Sequence, residues 1–159
     1  MTRFTVVAAA VSAVVAASTA IAQVPAGWKV IKEDKGKCQM SVPSEWKQGE
    51  IMGKKLAAAE SPDNTVDSVV SLMDDVDWTM FNQLVFQIYT KEKDRPKMES
   101  GPKRLWFEID AGMVPKGKTG WYVAVPGKAG ACNAQVNFKK GDKKAEETAR
   151  KIAESIRSN

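Results

Sequence analysis

The sequence predicts an α+β protein: an antiparallel β-sheet covered by helices. Three observations lead there. Short runs of β-forming residues follow one another across tight polar turns, as sequential hairpins do. Two longer segments repeat apolar residues at three- and four-residue steps, the period of a helix. No Pro-, Gly- or Ser-rich stretch is long enough to act as a linker, so strands, helix, strands and helix are expected to share one core.

The chain begins with a leader. Met1-Thr2-Arg3 supplies one positive charge, Phe4 to about Ala20 is an unbroken run rich in Val and Ala, and Ala20-Ile21-Ala22 precedes Gln23. A basic start, a short apolar run and small residues at −3 and −1 describe a secretory signal peptide cut between Ala22 and Gln23. The opposing reading is a retained membrane anchor, but an apolar run of about 17 residues is at the low end for a span. No Cys stands where a lipid anchor would need one, and a single Arg argues against twin-arginine export. Residues 1–22 are therefore read as a cleavable signal peptide. Residues 23–159 are read as a single α+β domain, periplasmic or secreted, with no transmembrane segment after cleavage.

The elements follow in order. Trp28 to Lys32 reads as a strand, Glu33-Asp34-Lys35-Gly36-Lys37 as a turn, and Cys38 to Val42 as the returning strand. Pro43 cannot donate to a ladder and closes the hairpin before Trp46. Lys54 to Glu60 and Val66 to Met73 are strands flanking the turn Ser61-Pro62-Asp63-Asn64, although Leu56-Ala57-Ala58-Ala59 alone favours helix. From Asp77 to about Lys91 the pattern is helical: Asp77 can cap, and Trp78, Phe81, Leu84, Val85 and Ile88 share one face. A strand through Val85–Tyr89 is the competing reading. Arg104 to Ile109, Trp121 to Val125 and Ala131 to Phe138 are strands, separated by the Gly112–Gly120 loop and a Pro126-Gly127 turn. After Gly141-Asp142, Ala145, Ala149, Ile152, Ala153 and Ile156 line one side of the last helix. Glu146 and Glu147 come early in it and Arg150, Lys151 and Arg157 late, as its dipole prefers.

Composition narrows the function classes. All five Trp lie beyond the leader, spread along the chain as expected if each element feeds one core. The formal charge of +5 falls by one when Arg3 is removed, too little and too dispersed to argue for nucleic acid. There are two cysteines, Cys38 and Cys132. In an oxidising compartment they are expected to form one disulfide, and their wide separation is unlike a Cys-x-x-Cys redox pair.

Certain residues carry a resemblance. The hairpin ending Ser41-Val42-Pro43-Ser44-Glu45-Trp46 looks like the entry of the PsbP-like family, named after an extrinsic protein of photosystem II. Ala149-Arg150-Lys151-Ile152-Ala153-Glu154-Ser155-Ile156 looks like that family's closing helix. The resemblance covers both ends of residues 23–159 and the middle by element order. It implies an α/β/α sandwich and a mostly non-catalytic binding or assembly role. A metal-binding histidine of some members has no counterpart in a chain without histidine, so no metal or other cofactor carries over.

Few groups suggest chemistry. Asp74, Asp75 and Asp77 are close in sequence, but a calcium loop also needs a Gly and a later Glu, and capping explains acids at a helix start. Basic residues gather at Lys91, Lys93, Arg95, Lys97, Lys103 and Arg104, and again at Lys139, Lys140, Lys143 and Lys144. Interspersed acids make a solvated rim the plainer reading, with anionic lipid or polymer the alternative. Gly117-Lys118-Thr119 lacks the phosphate-loop spacing. The exposed tip Met113-Val114-Pro115-Lys116 is a possible contact loop for a partner. The expectation is an exported, non-catalytic binding or accessory module acting on a protein or envelope component. The alternative is an envelope hydrolase using a Ser-Lys or carboxylate pair, for which no signature singles out residues.

Overall fold

The computed structural model describes residues 24–51, 53–89, 99–109 and 111–159. The leader, with the expected cut between Ala22 and Gln23, lies outside the described residues, as do Lys91, Lys93, Arg95 and Lys97.

The N-terminal hairpin forms as expected, from β1 (Trp28–Lys32) and β2 (Cys38–Pro43). Glu33 holds its turn: the carboxylate accepts from the N–H groups of Lys35 at 2.7 Å, Lys37 at 2.5 Å and Cys38 at 3.2 Å. Burial alone would raise the Glu33 pKa, but these three donors outweigh it and hold the carboxyl below its ordinary value. β10 (Arg157–Ser158) adds to the free side of β2, completing a three-stranded antiparallel sheet ordered β1-β2-β10.

The larger sheet holds β3 (Lys47–Ile51), β4 (Lys54–Glu60), β5 (Val66–Asp74), β9 (Gly130–Lys139), β8 (Lys118–Gly127), β7 (Leu105–Glu108) and β6 (Glu99–Ser100), in that spatial order. All pairings are antiparallel. Two helices complete the fold, α1 (Trp78–Tyr89) and α2 (Lys143–Glu154).

This corrects the expected class. Strand makes up 48% of the described residues, and the two helices have 12 residues each. The protein is a β-rich fold of two antiparallel sheets, neither one sheet covered by helices nor the α/β/α sandwich that the resemblance implied. The reason lies in β2, whose residues Cys38 to Val42 are all buried. Its hairpin takes part of the covering layer that a helix was expected to fill. Ile31, Met40 and Val42 of the small sheet pack with Val70, Val123 and Val136 of the large one, and Ala149 and Ile152 of α2 close the same cluster. On the opposite face, Phe81 and Val85 of α1 pack with Leu105, Phe107 and Tyr122. β5 turns exposed or half-exposed Asp67, Val69, Ser71 and Met73 outward.

Asp77 caps α1 as expected, and Asp142, which opens the last helix in the sequence, caps α2. Asp77 Oδ1 accepts from the N–H groups of Thr79 and Met80, and Asp142 Oδ1 from those of Lys144 and Ala145. Ala145, Ala149, Ile152 and Ala153 are buried on α2 as expected, and Ile156, expected on the same helix, is buried beyond its cap Ser155. In α1, Phe81 and Val85 are buried but Leu84 is 50% exposed, so the apolar stripe is narrower than the spacing suggests. The Ile88 side chain lies outside the described residues.

The cysteines meet. Cys38 of β2 and Cys132 of β9 are disulfide-bonded with Cα atoms 5.4 Å apart, joining the two sheets.

Candidate functional site

The expected contact loop is shorter than its composition suggests. Ala111–Met113 is a single 3-10 turn and Lys118 already belongs to β8. Met113 is 48% exposed, Pro115 and Lys116 are exposed, and half-buried Val114 packs on the α1-side core. The β8–β9 register sets Lys118 opposite Lys139, and the Lys140 N–H donates to the Gly117 carbonyl at 3.1 Å. Strand pairing thus brings the loop and the second basic run to one end of the sheet.

The acidic cluster is dispersed into separate duties. Asp74 pairs with Lys35, which lowers its pKa, Asp77 caps α1, and exposed Asp75 takes a left-handed φ of 51°. Among the described residues no group of three His, Cys, Asp or Glu side chains is placed to hold a metal ion.

A second surface was read in the sequence only as core. Residues alternate faces along a strand, so Trp106 of β7 and Trp121, Val123 and Val125 of β8 lie on the face shared with α2. Trp121 packs against Phe138 at 4.5 Å between ring centroids and meets the edge of Trp106 at 5.6 Å. A guanidinium covers each indole: Arg150 of α2 lies 4.9 Å from the Trp121 ring and Arg104 lies 5.6 Å from that of Trp106. Arg150 is also paired with Glu146 at 3.5 Å.

Beyond the end of α2 a cleft of about 320 Å³ has walls of Val125, Pro126 and Ile156, with Lys103, Arg157 and Ser158 at its margin. Arg157 is itself aligned with Gln39 in the β10–β2 pairing. Trp121 itself is buried, so the surface offers the half-buried Trp106, an apolar hollow and the cations around them. Such an arrangement can hold a partner's side chains, and Lys103 and Ser158 are the amine and the hydroxyl at the cleft's margin.

The expected strand Arg104 to Ile109 would set Arg104 and Trp106 on one face, since residues two apart on a strand share a face. β7 begins at Leu105, and Arg104 reaches the Trp106 ring from just before it. Arg150 had no such signal, because only the packing of α2 carries it to Trp121.

No protein-family model matches this chain, and no curated protein matches it.

Proposed function

We propose that the protein is an exported, non-catalytic binding or accessory module that engages an envelope or secreted protein through the arginine–tryptophan surface between α2 and β7–β8. The observation that carries this reading is the pair of stacked cations, Arg104 on Trp106 and Arg150 on Trp121. A guanidinium held against an indole is preorganised, so less freedom is lost when it meets a partner. Trp and Arg are also the residue types that dominate binding energy at protein interfaces. The leader ending Ala20-Ile21-Ala22 and the Cys38–Cys132 disulfide support export, since disulfides persist in oxidising compartments.

The test is affinity capture from an envelope extract of the producing organism, using the chain from Gln23 to Asn159 as bait. A captured partner is expected to bind Trp106→Ala or Arg104→Glu about 30-fold more weakly, as truncation of a hot spot of about 2 kcal/mol implies. Equal capture by the parent and both variants overturns the surface assignment, and no recovery above background overturns the binding module. Arg104 stands just before β7 rather than in the core, so its variant keeps the test valid if Trp106→Ala loosens the fold. Native protein that starts at Met1 instead of near Gln23 overturns cleavage and favours the retained membrane anchor.

A further inference from the structure

We propose that the β8–β9 end of the large sheet docks on an anionic phospholipid bilayer, with Met113 and Pro115 entering the headgroup layer and Lys116, Lys139, Lys140 and Lys143 lying over the lipid phosphates. This rests on a different part of the molecule from the arginine–tryptophan surface and stands independently of it.

At this end Lys116, Lys118, Lys139, Lys140 and Lys143 outnumber the carboxylates Asp63, Asp67, Glu108 and Asp142, whose hydrogen bonds fix their positions without removing their charge. Glu108 accepts from Thr119 Oγ1 at 2.9 Å. Asp67 accepts from Lys118 Nζ at 2.7 Å and from Asn137 Nδ2 at 2.6 Å. Asp142 is occupied as the α2 cap, and Asp63 is closed within its own turn by Ser61 and Thr65. Among the described residues, Lys116, Lys139, Lys140 and Lys143 have no ion-pair partner. Lys144 is left out of the patch, since it lines a groove with Glu45, Asp63 and Asp142.

Stability does not account for this arrangement. Lys143 sits in the first turn of α2, where the helix dipole disfavours a cation. The tip is rooted rather than loose: Val114 packs on the core, close enough to Gly120 that a Cβ there would lie 3.1 Å from Val114 Cγ1. The root thereby presents Met113 and Pro115 outward beside the lysines. Apolar insertion and charge are each weak alone, and reversible membrane binding takes both signals.

The test is flotation of the Gln23–Asn159 chain with vesicles of equal parts phosphatidylglycerol and phosphatidylcholine, against phosphatidylcholine alone. Binding is expected to the anionic vesicles only, and to vanish at about 1 M salt, where the screening length is about 3 Å. Lys139→Glu and Lys140→Glu should each weaken partitioning about fivefold or more, from about 1 kcal/mol per surface cation. Met113→Asp should weaken it at low salt as well, while Lys128→Glu, an exposed position in the turn at the opposite end of β8 and β9, should leave it unchanged. No binding, equal binding to neutral vesicles, or binding indifferent to Lys139, Lys140 and Met113 overturns the proposal. All three positions are exposed, and an unchanged melting temperature in each variant shows that the fold is kept.

Discussion

Asp63 shows how one side chain organises a turn. Its carboxylate accepts from Ser61 Oγ at 2.7 Å, Thr65 Oγ1 at 2.8 Å and the Thr65 N–H at 3.2 Å. These bonds, the Ser61 hydroxyl foremost, lower its pKa to about 2. Because the folded pKa is depressed, the turn's stabilisation is complete above the ordinary aspartate range and is lost as pH falls towards about 2. The Thr65 amide resonance should therefore titrate with a midpoint near about 2. A midpoint at the ordinary 3.8 contradicts the hydrogen-bonded turn. Gly130 illustrates the backbone side of the same scale. It holds a φ of 131°, and a Cβ there would run into the Met73 carbonyl of the neighbouring strand.

Among the elements, α2 is the clearest product of its sequence and β3 the least. α2 combines a side-chain cap, one apolar face and the exposed i,i+4 pairs Glu146–Arg150 and Glu147–Lys151. Asp142→Ala removes the cap's two accepted bonds and is expected to cost about 1 kcal/mol. Thermal denaturation followed by circular dichroism should fall by a few degrees, and an unchanged midpoint would show the cap to be dispensable. β3 reads Lys47-Gln48-Gly49-Glu50-Ile51, with neither alternation nor β-formers before Ile51. It exists because β4 offers a ladder to pair with, and its register shifts between Gln48 and Glu50. Charge and irregularity are features that keep an edge strand from recruiting another chain.

For the whole molecule, the disulfide is the covalent tie between sheets. Cys38 and Cys132 are 94 residues apart, and closing a loop of that order stabilises by at most about 4.7 kcal/mol in the chain-entropy model. Reduction should lower the melting temperature yet leave vesicle binding intact, because neither sulfur lies near the Met113 tip or the lysine patch. Mass measurement without reductant should find the chain lighter by two hydrogens. Two freely alkylated thiols in the native protein, or a melting temperature indifferent to reduction, would refute the tie.

The sequence by itself determined part of the local structure. The bounds of β1, the Asp77 cap and the apolar face of α2 follow from β-forming residues, capping chemistry and a 3.6-residue period, which neighbouring residues impose without help from the rest of the chain. By contrast, β4 forms against the helix preference of Leu56–Ala59, and β3 only by pairing with it. Only the tertiary structure decided how strands divide between sheets. Alternation shows which side of a strand is buried, not what buries it, and in β2 even Gln39 and Ser41 are covered, the Ser41 N–H donating to Ser155 Oγ at 2.8 Å. The candidate surfaces divide in the same way. The Met113 loop was visible in the chain, whereas Arg104 stood there only as a member of a basic run, and Arg150 reaches Trp121, and Lys140 reaches the loop, only through packing and strand register. Contacts between distant segments are chosen by how the whole core closes.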